Sequence, residues 1–463
     1  MKRIEKDSMG EMEVPEDALY GASTMRAVLN FPISGKPMPE GFIKGLGFVK
    51  SACARANHEL GKLSREKADL IIQAAEEVAS GKWNEHFPVD VFQTGSGTSS
   101  NMNINEVIAN RVSAIVGKPI GSKDPVHPND DVNLGQSSND IVPTALHVSA
   151  AISLKEELVP ALEHLADRLE EKSGEFRDVV KIGRTHLMDA TPLTLGQEFS
   201  GYAAQVRKAA KRSEQAIRCL KELAIGGTAV GTGLNSHPEF STKVCKKLEE
   251  MTGIAFREAD NHFEAQAARD DAVEVAGLLA TISASLTKVG NDIRLLGSGP
   301  RSGLGEILLP AVQPGSSIMP GKVNPVMSEM LVQVGIYVAG LSQSVIMAGR
   351  DGHFELNVTL PLIAYCLHDS ITCLSNGARS FADFCVAGIR ADEERCRELV
   401  DQSLMLVTAL NPYIGYDKAA QVAKRAYEEN KTLREVMLAM DLLDESTLDE
   451  ALDPMNMIRH KTD

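Results

Sequence analysis

The most concentrated polar chemistry in this chain lies in Gly315-Ser316-Ser317-Ile318-Met319-Pro320-Gly321-Lys322-Val323-Asn324-Pro325. Two hydroxyls, an ammonium and a carboxamide fall within eleven residues. Gly315, Pro320 and Gly321 preclude a regular helix or strand, so the run reads as a loop that carries function. A phosphate-binding P-loop is excluded. Five residues separate the glycines where four are required, Val323 follows the lysine where Ser or Thr is required, and no strand pattern leads in. Two readings survive: a structural turn, or an anion site in which Lys322 supplies charge while Asn324 and the serines supply donors.

Three more polar clusters punctuate the chain. Gln93-Thr94-Gly95-Ser96-Gly97-Thr98-Ser99-Ser100-Asn101 sits directly before a helical pattern. Hydroxyl residues there could be caps, but a cap needs one and this run has five, which favours an anion site built on free N–H groups and the helix dipole. His127-Pro128-Asn129-Asp130-Asp131-Val132-Asn133 leads to Gln136-Ser137-Ser138-Asn139-Asp140, again before a long helix, where capping is the plainer alternative. Gly183-Arg184-Thr185-His186 precedes Thr191-Pro192, a helix start signal with proline at the first helical position. A lone loop histidine such as His186 is by itself more often a surface residue than a catalyst.

The run Gly315 to Pro325 is similar to the signature of the fumarase/aspartase superfamily of lyases. The same resemblance extends from about Met9 to Met457. It takes in the opening segment with Glu11, Val14-Pro15, Tyr20-Gly21 and Arg26, the three clusters above, Gly352-His353-Phe354-Glu355-Leu356-Asn357-Val358, and the tail around Asn411-Pro412-Tyr413-Ile414-Gly415-Tyr416. His186, the Gly352 segment and the tail resemble the class II fumarase version; aspartate ammonia-lyase is the nearest alternative, and a catalytically dead homologue is a third. Val326-Met327-Ser328, Leu134-Gly135 and Asp124 depart from the fumarase wording.

The resemblance implies reversible hydration of fumarate to (S)-malate by anti addition through an aci-carboxylate, without metal or other cofactor. It implies Ser316 as the base, and His186 as acid or proton relay, oriented by Glu329. Ser96, Gly97, Thr98, Ser137, Ser138, Asn139, Thr185, Ser317, Lys322, Val323 and Asn324 would contact the dicarboxylate. His127, Pro128, Asn129 and Asp130 match a second dicarboxylate site. It further implies a homotetramer in which loops of three subunits meet at each site.

Positioning such loops is a task for helices. Leu154, Leu158, Leu162, Leu165 and Leu169 form one apolar stripe, which Pro160 should bend. From Asn261 to about Gly297 a coiled-coil-like seam, Leu279 to Leu296, predicts one helix of about 55 Å. Residues 1–45 read as irregular, 46–82 as helical, 226–235 as a flexible connection that lacks dinucleotide-loop spacing, and 326–348 and 356–388 as helical. The fold class expected is mainly α: a long central helical bundle (138–392) flanked by an N-terminal domain (1–137) and a small C-terminal helical domain (393–463).

Composition narrows the function. A net charge of −15 argues against nucleic acid, and obliges any site for a dianion to gather local positive potential. Seven cysteines with no CxxC indicate neither a disulfide framework nor zinc, and the His-Phe-Glu runs at His262 and His353 lack the cysteines of a zinc deaminase. The amino terminus lacks a signal peptide's apolar core, and no stretch is expected to span a bilayer, which points to the cytoplasm.

Overall fold

The leucine stripe forms as its spacing requires: Leu154, Leu158, Leu162, Leu165 and Leu169 are all fully buried. The computed structural model of the chain describes residues 1–458. In order, the elements are the hairpin β1 (Lys2–Asp7) and β2 (Gly10–Pro15), then α1 (Ala22–Asn30), α2 (Glu40–Glu59), α3 (Arg65–Ala79), α4 (Thr98–Ile115), α5 (Ser138–Ser153), α6 (Val159–Glu175), a second hairpin β3 (Val180–Thr185) and β4 (Met188–Thr194), and α7 (Leu195–Cys219). There follow β5 (Glu222–Leu223), α8 (Phe240–Thr252), β6 (Arg257–Glu258), α9 (His262–Ala267), α10 (Asp270–Leu296), β7 (Ile307–Leu308), α11 (Val326–Gly349), β8 (Gly352–His353), β9 (Leu356–Asn357), α12 (Leu360–Phe384) and β10 (Arg390–Ala391), then short helices to Met457. Among the described residues the strands pair only as two-stranded ladders. The mainly helical class is as expected.

Several local expectations change. The first 45 residues are ordered, not irregular: β1 and β2 pair in register from Lys2↔Pro15 to Asp7↔Gly10. Their charged alternation leaves only Glu5 and Val14 buried, so no apolar period announces the strands. Glu106 of α4 caps α1 by accepting from the backbone of Gly21, Ser23 and Thr24. The helix expected from Asn261 is broken, because Ala268 is extended between α9 and α10. Thr191 and Pro192 lie in β4 rather than starting a helix; the helix starts at Leu195, where Thr194 and Gln197 bond each other's backbone N–H reciprocally. Proline is tolerated in a two-stranded ladder because one strand edge needs no donor. Pro160 is absorbed by a π turn at Leu154–Leu158, which adjusts the backbone before α6 begins. Finally, α10 and α11 do have the length and hydropathy of a membrane span, against expectation: α11 carries Glu329 as its one charged side chain.

Contacts divide the chain into two compact units, each drawn from three separate segments. One comprises 1–160, 209–284 and 334–376, with α2 packed on α3, α5 and α8. The other comprises 161–208, 285–333 and 377–463. Its C-terminal core gathers Val400, Leu410, Val422, Val436, Met437 and Leu448 around Ile182 of β3, so the second hairpin is seated on the small helices.

Two buried histidines brace the first unit. His147 of α5 bonds the Glu222 carbonyl at 2.8 Å, and His368 of α12 bonds Ser149 at 2.7 Å. Burial pushes both imidazoles down to about 4 from the ordinary 6.5. The unfolded chain therefore takes up protons that the fold refuses. This contribution is fully present above about pH 6.5 and is lost as pH falls toward about 4. His368→Gln is expected to flatten the fall in urea-unfolding midpoint between pH 6.5 and 4.5, removing a dependence worth about 2 kcal/mol; an unchanged slope would refute the assignment.

Candidate active site

In the first unit, two helix N-termini present the hydroxyl clusters. Gly97 precedes α4 at φ +72 with no side-chain cap, and a Cβ there would meet Val142 at 2.6 Å. Gln93 accepts from the Ser100 N–H at 3.1 Å, and the N–H groups of Thr98 and Ser99 at the head of α4 are open to a ligand. Ser96 and Thr98 bond each other at 2.8 Å. Behind them, Gly95 lies so close to the 356–360 segment that a Cβ would sit 1.7 Å from the Val358 carbonyl. That contact gives the Gly352–Val358 motif a physical meaning: it buttresses the α4 entry. Ser137 caps α5 in a capping box with Asp140, so the plainer reading holds for its side chain. Ser138 accepts from Asn101 at 3.1 Å, and Asn139 donates to the Ala229 carbonyl at 2.8 Å. The clusters at 96–98 and 137–139 are therefore brought together.

Asp140 organises this corner. Its fully buried carboxylate accepts from the backbone of Ser137, Gly226 and Thr228 at 2.8–3.0 Å. The 226–235 segment is consequently pinned at its start, against the expectation of a flexible connection. The sequence also gave no warning of a fully buried Lys50 on α2, whose ammonium reaches Asn133 and Gln136 at 3.0 and 2.9 Å. The available signal was a lone lysine amid Gly45-Leu46-Gly47-Phe48-Val49 and Ser51-Ala52-Cys53-Ala54.

His127, Pro128 and Asn129 line a cavity of about 620 Å³ together with Lys6, Ser8, Asn110 and Lys123. His127 Nδ1 accepts from the N–H groups of Asn129 and Asp130, while the Asp130 side chain is 82% exposed. The second-site residues thus form a pocket edge in which Asp130 faces solvent.

In the second unit, His186 is the first central residue of the β3–β4 turn, followed by Leu187. Both adopt positive φ, +58 and +62. Two-residue hairpin turns need this and favour Asn-Gly there; for other residues left-handed backbone costs about 1–2 kcal/mol each. The turn is held from below. Arg184 pairs with the fully buried Glu306 at 2.8 Å, and Lys181 pairs with Glu198 at 2.9 Å and Glu306 at 3.5 Å. Glu306 opens the segment that leads to Ser316, so one carboxylate anchors the base of the hairpin and the stem of the signature loop. Thr185, His186, Ser317 and Lys322 are exposed, as is Glu329. Among the described residues no hydrogen bond joins His186 to Glu329.

The signature loop closes on itself. Asn324 donates to the Gly315 carbonyl, and a Cβ on Gly315 would lie 2.0 Å from the Lys322 carbonyl oxygen. Ile318 and Val323 are 83% and 47% exposed, apolar groups on the outside of a polar loop. Ser316 Oγ accepts from the N–H groups of Ile318 and Met319 at 3.2 and 3.0 Å.

A helical scaffold with hydroxyl-rich helix starts, a serine supplied with N–H donors, an exposed Lys322 and a half-buried Asn324 has the parts of a lyase acting on carboxylates. A family model described as Lyase matches residues 10–340, and one described as Fumarase C C-terminus matches 406–459. The fumarate hydratase class II of Thermosynechococcus vestitus is 53% identical over 441 residues, covering 95% of this chain and 94% of the relative. The mitochondrial fumarate hydratase of Homo sapiens is 51% identical over 461 residues, covering 99% and 90%. The crystal structure of class II fumarase from Schistosoma mansoni superposes with a TM-score of 0.94 at 41% identity, covering 99% of each chain. The chain belongs to the class II fumarate hydratase family. Its reaction is the hydration of fumarate to malate, which sets aside the ammonia-lyase and inactive-homologue alternatives.

Gly315→Ala must open the base of the signature loop. A displacement near 1 Å in such a site costs on the order of 100-fold in rate. We expect kcat/KM to fall by about that factor while the melting temperature stays within about 2 °C, because the loop is exposed. Wild-type kinetics in this variant would show that the tight Gly315–Lys322 approach is irrelevant to catalysis.

Proposed function

We propose that hydration proceeds by anti addition through an aci-carboxylate to give (S)-malate, with Ser316 as the base that exchanges the C3 proton. The observation that carries this is the pair of backbone N–H groups on Ser316 Oγ. A free serine is far too weak an acid for the role. Donors aimed at its oxygen stabilise the alkoxide and lower the cost of removing its proton. Lys322 and Asn324 take the carboxylate that becomes the aci form, where charge accumulates. Ser96, Gly97, Thr98, Ser138, Asn139 and Thr185 supply neutral donors, the Ser137 cap holds α5 in place, and Ser317 and Val323 meet the substrate from the loop's exposed face. His186 delivers or accepts the proton of the departing hydroxyl through water, with Glu329 as its orienting carboxylate. The pocket of His127, Pro128, Asn129 and Asp130 serves as a second dicarboxylate site. These steps need only proton transfers and hydrogen bonds.

The proposed assembly is a homotetramer with each site shared by three subunits. Two observations support it. His186 and Glu329 are both exposed and unjoined within one chain, and α11 leaves Ile336, Tyr337, Ile346 and Met347 41–68% exposed on a nearly uncharged helix. Such a face asks for burial against other copies. The proposed compartment is the cytoplasm, whose reducing conditions suit seven free cysteines.

Loss of fumarate's ultraviolet absorbance, in buffer without metal or ammonia, tests the base. Ser316→Ala is expected to lower kcat by about 10³-fold or more with a smaller change in KM. Retention of even a tenth of the wild-type kcat would remove Ser316 from the role. Light scattering tests the assembly: the wild-type protein should elute as a tetramer, and Ile336→Glu should give smaller, inactive species. A fully active monomer would exclude shared sites.

A further inference from the structure

The first unit contains a cation that the mechanism above does not use. Lys50 is 0% exposed in the middle of α2, and among the described residues it is hydrogen bonded to no carboxylate. Its partners are two neutral carbonyl oxygens, Asn133 Oδ1 and Gln136 Oε1. A buried ammonium with only amide acceptors has no directly bonded counter-charge, an arrangement that folded proteins avoid unless something supplies one.

The titratable groups facing it are few. Cys53 lies on the same helix, and its buried thiol is pushed far up by desolvation. Asp140 on α5 faces it too, but that carboxylate is committed to three backbone N–H groups and burial pushes it up. Arg55 on α2 is paired with Glu76 of α3 at 2.6 Å, and Glu106 of α4 is spent on the α1 cap. On α8, Cys245 faces Cys53, its thiol pushed up to about 12 by burial. Desolvation outweighs the partial offset from Cys53 and Asp140 and pulls Lys50 down to about 7.

A polar path leads from this ammonium to the presumed ligand side. Asn133 Oδ1 accepts from Lys50 and also from Asn101 and Asn105 at 3.2 and 3.3 Å. Asn101 Nδ2 in turn donates to Ser138 Oγ at 3.1 Å. With its oxygen accepting from Asn101, Ser138 has its own proton free to donate to a ligand. We propose that Lys50 is the buried counter-charge of the bound dicarboxylate, a positioning residue that acts from behind Ser138 through Asn133 and Asn101. The inference rests on the assignment of the Ser96–Thr98 and Ser137–Asn139 loops to the substrate.

Its consequence is thermodynamic. A dianion stabilises the charged form of Lys50, so binding and protonation are linked. Affinity is full below about pH 7 and weakens as pH rises and the free protein loses this proton. At pH 8 binding takes up a proton; at pH 6 the lysine already carries it.

The test uses the intact protein and succinate, a saturated dicarboxylate that cannot be hydrated, as the probe. Its inhibition constant is measured from pH 6 to 9 for wild type, Lys50→Met and Lys322→Ala, with calorimetry in buffers of different ionisation enthalpy to count protons. Wild type should show a constant that rises about tenfold per pH unit above about 7, with proton uptake at pH 8. Lys50→Met should bind succinate about 10- to 100-fold more weakly at pH 6.5, lose this pH break, and show a larger change in KM than in kcat. A merely structural lysine would leave the pH break in place. Lys50→Met with wild-type affinity and pH profile overturns the proposal, provided Lys322→Ala still weakens binding; if neither variant changes it, the assignment of the pocket fails instead. Should Lys50→Met not fold, Asn133→Asp supplies an internal counter-charge: succinate affinity should fall and the pH break move upward, and absence of both overturns the proposal.

Discussion

A substrate with two negative charges must be held by a protein that is itself negative, and nearly every polar feature described here answers that demand. The chain carries a net charge of −15. In the proposed site it would meet the dianion with dipoles more than with cations: the start of α4, hydroxyls at the start of α5, and backbone N–H groups turned onto Ser316. Dipoles fixed in place need little reorganisation when charge moves during the reaction. They must however be rigidly mounted, and that is the work of the buried carboxylates. Asp140 fixes the start of α5 to the 226–228 turn, Glu106 fixes α1 to α4, and Glu306 fixes the hairpin to the stem of the signature loop. Asp140 and Glu106 are spent on backbone N–H groups, and Glu306 is paired with Arg184 and Lys181.

Helices supply the length over which these ends are arranged. The seams of α5, α6 and α10 are apolar and buried, and the candidate hydroxyl clusters sit at the starts of α4 and α5. Sequence and structure agree best here because a period of three and four over many residues has few other solutions. The leucine stripe and the seam from Leu279 to Leu296 were legible for that reason. So was the signature loop, whose glycines and prolines exclude regular structure.

What was not legible depends on partners far away in the chain. Nothing around Glu106 announces that it caps a helix more than eighty residues earlier, and nothing around Lys50 announces the asparagine cluster of 101 to 133. The break at Ala268 leaves the surrounding apolar pattern intact. Thr191-Pro192 looked like a helix start because proline at that position fits both a first turn and a free strand edge; the β3 partner decided between them. The length of α11 without charges was likewise underestimated as a span-like run. In the site, residue types and order were readable from the signature, whereas the supporting carboxylates and the role of the Gly352–Val358 segment needed the fold.

The turn at His186 and Leu187 sets durability against the placement of a side chain. Asparagine and glycine would relax both positions. The histidine stands where the backbone disfavours it. Leu187 shares the same left-handed backbone at 75% exposure, with no buried contact to compensate. Leu187 is thus the residue at which robustness and chemistry can be separated: glycine there would ease the backbone without touching the imidazole.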